Sequence, residues 1–254
     1  MKKITASKTL SIAINGKGKY YLPDDLLLNG KTINAIVPVL GMYSFADDAV
    51  GAPITNGNNL FMNLTNNGQY FFIQDMPVEQ LSSKVVRGKF EKIDEKLNLP
   101  ACYVECTDNT VGNLILVVFY EDSANFNAET NVNSNYEYCE IPMLYKNGYR
   151  NQLPDKNSLR GKKFRNIICT YPAVTPSGYT SVTSTEGNYS YLTLCRGSKI
   201  IIDKIPLPLL QQIEQYDLLR FANIEFDFEN SYIQVFGTPD IDNKYVYLIF
   251  EYER

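Results

Sequence analysis

No histidine occurs in this chain of 254 residues, so the commonest general base and the commonest metal ligand are both missing. Three groups remain whose types and spacing could do chemistry. Cys102 and Cys106 have zinc-like spacing, but a thiolate site needs four converging ligands. Four residues apart on a strand they share one face, so core packing is the expectation. Glu225, Asp227 and Glu229 alternate with Phe226 and Phe228. Paired carboxylates can hydrolyse glycosides at separations of about 5–9 Å, yet strict alternation describes a half-buried strand with its charged face in water. Asp240, Asp242 and Asn243 suggest calcium but lack the glycine and terminal glutamate of an EF-hand loop, so a hairpin turn is expected there. Phosphate-cradling loops, dinucleotide fingerprints and nucleophile elbows are missing too. Catalytic, cofactor-binding and metal-ligating residues are therefore all assigned as none, and no enzyme is expected.

Charge narrows the partners. Net charge is −4 with a pI near 5.1, and basic residues are scattered, which gives little support to phosphate-driven nucleic-acid binding. Lys2, Lys3, Lys8, Lys17 and Lys19 make the amino-terminal end locally basic, a pattern expected of a solvated strand edge. No run of about 18 apolar residues is present and no signal-peptide stretch follows the early lysines, so synthesis in the cytoplasm is expected. The five cysteines (Cys102, Cys106, Cys139, Cys169, Cys195) are odd in number and mostly lie in apolar runs. Buried free thiols are expected. The 19 tyrosines could serve as sugar platforms or as anchors of large protein interfaces.

The elements that must position these residues come in two matching sets. Leu22, Pro23, Asp24, Leu28, Gly30 and Lys31 recur as Leu153, Pro154, Asp155, Leu159, Gly161 and Lys162, 131 residues on (153 against 22). The apolar run 114–119 aligns with 245–250 at the same offset. Gly68 and Pro77 match Gly197 and Pro206 at an offset of 129. A tandem duplication of one domain follows, with 1–124 as the first copy, 125–140 as an Asn-, Ser- and Glu-rich linker and 141–254 as the second.

Within each copy, strands alternate with turn signals. Asn15-Gly16 and Asn147-Gly148 carry the strongest short hairpin signal. Strands are expected at 33–40 and 164–171, then hairpins at 60–64/70–73 and 189–194/199–202. After each hairpin comes an acidic residue and a proline, with Asp75 matched to Asp203 and one extra residue in the second copy. Helical spacing follows at Val78, Leu81 and Val85, and at Leu209, Leu210, Ile213 and Leu218, with 92–97 adding a turn or two in the first copy. Closing strands are expected at 102–106 and 113–120, and at 224–228, 232–236 and 244–252. The class is all-β: tandem duplicated β-sandwiches (double jelly roll) with one short helix per domain.

The duplication, the strand–glycine turn–strand–proline–helix unit (60–81 and 189–213) and the long unlike loops resemble the double jelly-roll major capsid proteins of small icosahedral, membrane-containing bacteriophages. The resemblance implies a homotrimer forming a pseudo-hexameric tile, contacts with neighbouring trimers, vertex (penton) and minor capsid proteins and an internal viral membrane as further partners, and location in the virion. It carries no residue-level site. The alternatives are an auxiliary capsid, ring or tail protein of a tailed phage and, further off, a carbohydrate-binding β-sandwich module.

Overall fold

In each half of the chain the first strand lies beside the last. The computed structural model describes residues 6–46, 51–82, 93, 95–122, 134–213, 224–237 and 241–253. It divides into two compact units, Lys8–Glu121 and a second built on Asp122–Arg254.

In the first unit the strands are β1 (Ala6–Asn15), β2 (Gly18–Tyr21), β3 (Thr32–Val39), β4 (Leu60–Thr65), β5 (Phe71–Pro77), β6 (Glu95–Lys96), β7 (Tyr103–Cys106) and β8 (Val111–Tyr120). They form two sheets, ordered β1-β8-β3-β6 and β2-β7-β4-β5. First is beside eighth, second beside seventh, third beside sixth, fourth beside fifth: a hairpin of the whole domain, rolled up. That nesting is a jelly roll.

The second unit repeats it with β9 (Ser134–Tyr145), β10 (Arg150–Gln152), β11 (Phe164–Thr170), β12 (Thr180–Ser181), β13 (Ser190–Arg196), β14 (Lys199–Pro206), β15 (Tyr232–Val235) and β16 (Ile241–Glu253). Here β16 lies between β9 and β11, and the other order is β10-β15-β13-β14. The place of β6 is taken by a single bridge from Ile224 to Phe164. The short β12 is an addition, parallel to the start of β16. The chain is thus all-β, two jelly-roll sandwiches in tandem. Short helices α1 (Val78–Leu81) and α3 (Leu207–Ile213) follow β5 and β14 directly, and the second unit adds a capped turn, α2 (Ser184–Gly187).

The repeated motif has a mechanical role. Leu22 and Leu153 are buried, and their N–H groups bond Cys102 O and Ser231 O at 2.8 and 2.9 Å. Leu28 and Leu159 are buried a turn later. Gly30 and Gly161 then reverse the chain at φ +73° and +68°, a left-handed geometry that glycine adopts without a Cβ penalty. The ends of these loops are tied alike, Asn29 to Asp24 and Arg160 to Asp155.

A second repeated device is a bulge. Asp75 and Lys204 are both left-handed, at φ 49° and 52°. The N–H of Asp75 donates to Asn63 Oδ1 (3.0 Å) and that of Lys204 to Thr193 Oγ1 (3.3 Å). Structurally, therefore, Asp75 matches Lys204 and not Asp203, and no extra residue precedes Pro206. The offset of 129 already held at Gly68 and Pro77.

Three expectations are corrected. The Asn-Gly pairs are not hairpins but corners: β1 lies beside β8 while β2 pairs with β7, and β9 pairs with β16 while β10 pairs with β15. Gly16 N–H bonds Thr110 O instead. The segment 224–228 is not a strand. After Ile224 the chain crosses between sheets and tightens into a 3-10 turn at Phe228–Asn230. In the first copy, residues 95–96 are strand and not added helix. Of the expected linker, residues 125–133 lie outside the described set, as do Val85, Leu218 and Asp240. From Ser134 the chain is already β9, because its alternate residues Cys139, Ile141, Met143 and Tyr145 are core.

Core residues match across the copies. Leu10, Ile12 and Ile14 correspond to Ile141, Met143 and Tyr145, all buried. In the second unit Phe164, Phe226, Phe228 and Phe250 form a nest with ring centroids 4.7 to 6.0 Å apart. Phe164→Ala removes the ring that the other three share. It is expected to cost about 3–5 kcal/mol, read from the denaturant midpoint. A loss below about 1 kcal/mol would mean that the nest is not what holds this unit.

Candidate interaction surfaces

Val104 and Cys106 lie on the inward face of β7 and Cys102 just before it, and all three are buried. Cys102 Sγ accepts from Thr65 N–H (3.3 Å), the position at which Ser231 Oγ accepts from Cys195 N–H (3.0 Å) in the second unit. Burial raises the Cys102 thiol to about 11, and Cys139 likewise. All five cysteines are free and buried. Among the described residues no three His, Cys, Asp or Glu side chains gather to hold a metal.

The alternation at 225–229 survives without a strand: Phe226 and Phe228 are buried, Glu225 pairs with Arg196 (3.3 Å) and Asp227 accepts from Gly197 N–H. Asn243 is left-handed (φ 62°), beside a register shift in the pairing of β16 with β9, and so marks a bulge and not a hairpin turn. Of the amino-terminal lysines, Lys8 pairs with Asp25 at 3.6 Å, Lys17 is exposed, and Lys2 and Lys3 are outside the described residues. Two depressions of about 310 and 340 Å³ open on the second unit. The larger is rimmed by Asp155 and Arg160, which are spent on each other.

An ion pair between buried Lys244 and half-buried Glu186 fixes a loop. Lys244 Nζ is 2.7 Å from Glu186 Oε1. Glu186 also caps α2: its carboxylate accepts from Thr183 N–H (2.8 Å) while its own N–H donates to Thr183 Oγ1 (3.2 Å). Tyr145 Oη donates to the Glu186 carbonyl oxygen. Burial by itself would raise the Glu186 carboxyl, but Lys244 and Thr183 pull it below its ordinary value. A carboxyl lowered in the folded state adds stability above its unfolded value and loses it as pH falls through the folded one. Glu186→Gln should therefore cost about 1 kcal/mol at pH 7, since the half-buried carboxylate is partly screened by solvent, with the gap to wild type shrinking below pH ~4. A gap independent of pH would show that the charge is not what matters.

What exposes unusual chemistry is the pair of aromatic sheet faces, one per unit. On the first, Tyr21, Tyr103 and Phe71 lie edge or tilted at 5.6 and 5.7 Å, with Lys19 Nζ 4.4 Å over Tyr103. The cation–aromatic contact is duplicated: Arg150 lies 4.6 Å over Tyr232, at the matching positions of β10 and β15. On the second unit, Tyr138, Tyr247, Tyr245 and Tyr179 form a chain at 5.5–5.6 Å across β9 and β16, with Lys156 over Tyr138.

The copies differ on this sheet face, which is buried in the first copy at Ser7, Thr9, Leu114 and Leu116. Tyr138, Glu140 and Pro142 stand where the first copy has Ser7, Thr9 and Ser11, and Tyr245 and Tyr247 stand where it has Leu114 and Leu116. Sequence inspection noted the tyrosines but not this grouping, which needs the strand register.

If the thiols are packed as described, a thiol reagent should label none of the five in the native protein within minutes and all five in guanidinium. Rapid native labelling of Cys102 or Cys169 would contradict the burial.

No family model and no curated protein matches this chain. Two solved structures share its overall length. One is a chain of the atomic structure of Sulfolobus turreted icosahedral virus, with TM-score 0.30, 10% identity, 97% of this chain and 90% of that chain covered. The other is the crystal structure of the STIV major capsid protein, with TM-score 0.25, 11% identity, 100% and 94% covered. Likeness at this level carries no argument. The fold class rests on the strand order.

Proposed function

We propose that this chain is a viral coat protein that builds a shell from copies of itself. The observation that carries the reading is the nesting of strands, first beside last and inward from there, in two tandem jelly rolls. Jelly rolls serve as capsid, lectin and cupin domains. A cupin-type metal site lacks its histidines here. The divergence of one sheet face between copies that share a core favours assembly, since one domain used twice must make unlike contacts on its two copies. In the finer form of the reading the unit is a homotrimer acting as a pseudo-hexameric tile. It meets neighbouring trimers and, through them, vertex and minor proteins, in an icosahedral virion that encloses an internal membrane. The sequence resemblance points to a bacteriophage; the two similar structures come from a virus of Sulfolobus, an archaeal host.

Light scattering or native mass spectrometry of the purified protein tests this. The expected mass is three times 28.9 kDa or a larger closed particle. A monomer at every concentration would sink the self-assembling reading. Binding of glycans by such a monomer would move the carbohydrate module forward.

A further inference from the structure

Five asparagines in this chain are followed by glycine: Asn15, Asn29, Asn56, Asn67 and Asn147. Such a pair is labile in water. The glycine nitrogen can close on the asparagine carboxamide carbon, because no Cβ shields the approach. Ring closure requires that nitrogen to give up its proton and swing inward. A hydrogen bond from the same N–H to the rest of the fold opposes both movements.

Four of the five pairs are protected in this way. Gly16 N–H donates to Thr110 O and Gly148 N–H to Val235 O, at 2.8 and 2.7 Å. Gly57 N–H donates to Glu79 Oε2 at 2.8 Å, and Gly68 N–H to Thr65 Oγ1 at 2.9 Å. The carboxamides of Asn56, Asn67 and Asn147 are pinned as well, their Oδ1 atoms accepting from the N–H groups of Asn58, Gln69 and Gly237.

Asn29–Gly30 differs. The turn is closed on either side of the Gly30 N–H, by Asn29 N–H to Asp25 O and by Lys31 N–H to Leu28 O, and that N–H itself has no acceptor among the described residues. Both residues are exposed, and Gly30 is left-handed. The Asn29 carboxamide is held by one exposed bond, to Asp24 Oδ1 at 3.1 Å.

We propose that Asn29 is a site of spontaneous, irreversible modification, converting to aspartate and isoaspartate as the folded protein ages. Solvent base takes the Gly30 N–H proton, and the nitrogen bonds to Asn29 Cγ. The Cγ–Nδ2 bond breaks, and the amide nitrogen leaves as ammonia with a proton from solvent. Water then opens the cyclic imide at either carbonyl, and nothing is oxidised or reduced. The new carboxylate stands beside Asp24, where the carboxamide had donated to it, so attraction becomes repulsion. The second copy has no such site, since Arg160 holds Asp155 at the matching position. The anchor loop of the first jelly roll alone therefore loosens with time. The reaction runs within one chain and does not depend on assembly.

Peptide mapping by mass spectrometry, with enzymatic methylation to mark isoaspartate, follows the full chain in warm, mildly alkaline buffer. Asn29 should convert about tenfold faster than the other four, the ratio expected when each of those must first break a structural hydrogen bond. In guanidinium all five should convert at similar rates. Asn29→Gln, whose longer side chain would have to close a six-membered ring, should abolish the fast release of ammonia with circular dichroism unchanged. Another pair converting first in the folded protein overturns the assignment. So does an Asn29 that stays intact over the time in which the unfolded chain converts.

Discussion

Everything here depends on the last strand of each repeat returning to lie beside the first. β16 sits between β9 and β11 and bonds along nearly its whole length, from Ile241–Tyr145 to Glu253–Ser134 on one side. A buried strand must pair both rows of its backbone groups or pay for each one left alone. β16 therefore cannot settle until strands about a hundred residues earlier are in place. The inner pairs, β4 with β5 and β13 with β14, are local and need no such wait. Nested pairing of this kind makes contact order high and folding slow, with the closing strand as the costly step.

Given that constraint, the duplication preserved what the nesting requires and released the rest. It kept the leucine anchors at 22/153 and 28/159, the left-handed glycines at 30/161, and the side-chain-capped bulge at 75/204. It also kept the basic residue over an aromatic ring between second and seventh strands, Lys19–Tyr103 and Arg150–Tyr232. None of these depends on which partner covers the outside. The positions that changed lie on one sheet face, buried in the first copy and carrying the exposed Tyr138 in the second: Ser7 to Tyr138 and Leu116 to Tyr247. An ion pair between the first strand and the anchor loop recurs with its signs exchanged, Lys8–Asp25 against Glu137–Lys156; the loop positions match, while the strand partner has moved two residues along.

The same logic explains what could be read from the sequence. Local signals were sufficient for the hairpins at 60–77 and 190–206, since glycine turns at Gly68 and Gly197 close strands adjacent in sequence. The repeat was legible because its anchors are buried and tolerate little change. Asn15-Gly16 was misread because a turn sequence fixes a reversal of direction but not which strand lies alongside, and the neighbours here are β8 and β7. Residues 224–228 alternate like a strand because Phe226 and Phe228 reach the Phe164 nest, yet no neighbour offers a ladder beyond Ile224. The aromatic faces were invisible as faces. Tyr138 and Tyr247 are 109 residues apart, and register alone brings them together.

The bulge also limits what an open edge can do. A flat strand seven residues long, bare along one side, would invite unlimited pairing. In β5 the left-handed Asp75 breaks the edge and Pro77 lacks a donor, which leaves the stretch 71–74 able to carry a ladder. β14 is cut at the same place by Lys204 and Pro206. A junction of three or four residues is weak by itself and specific in length. Weak contacts repeated around a closed assembly can be made, broken and corrected one at a time, while the whole is held by their number. The device that shields the edge from aggregation thus also limits the length of any ladder the edge could carry.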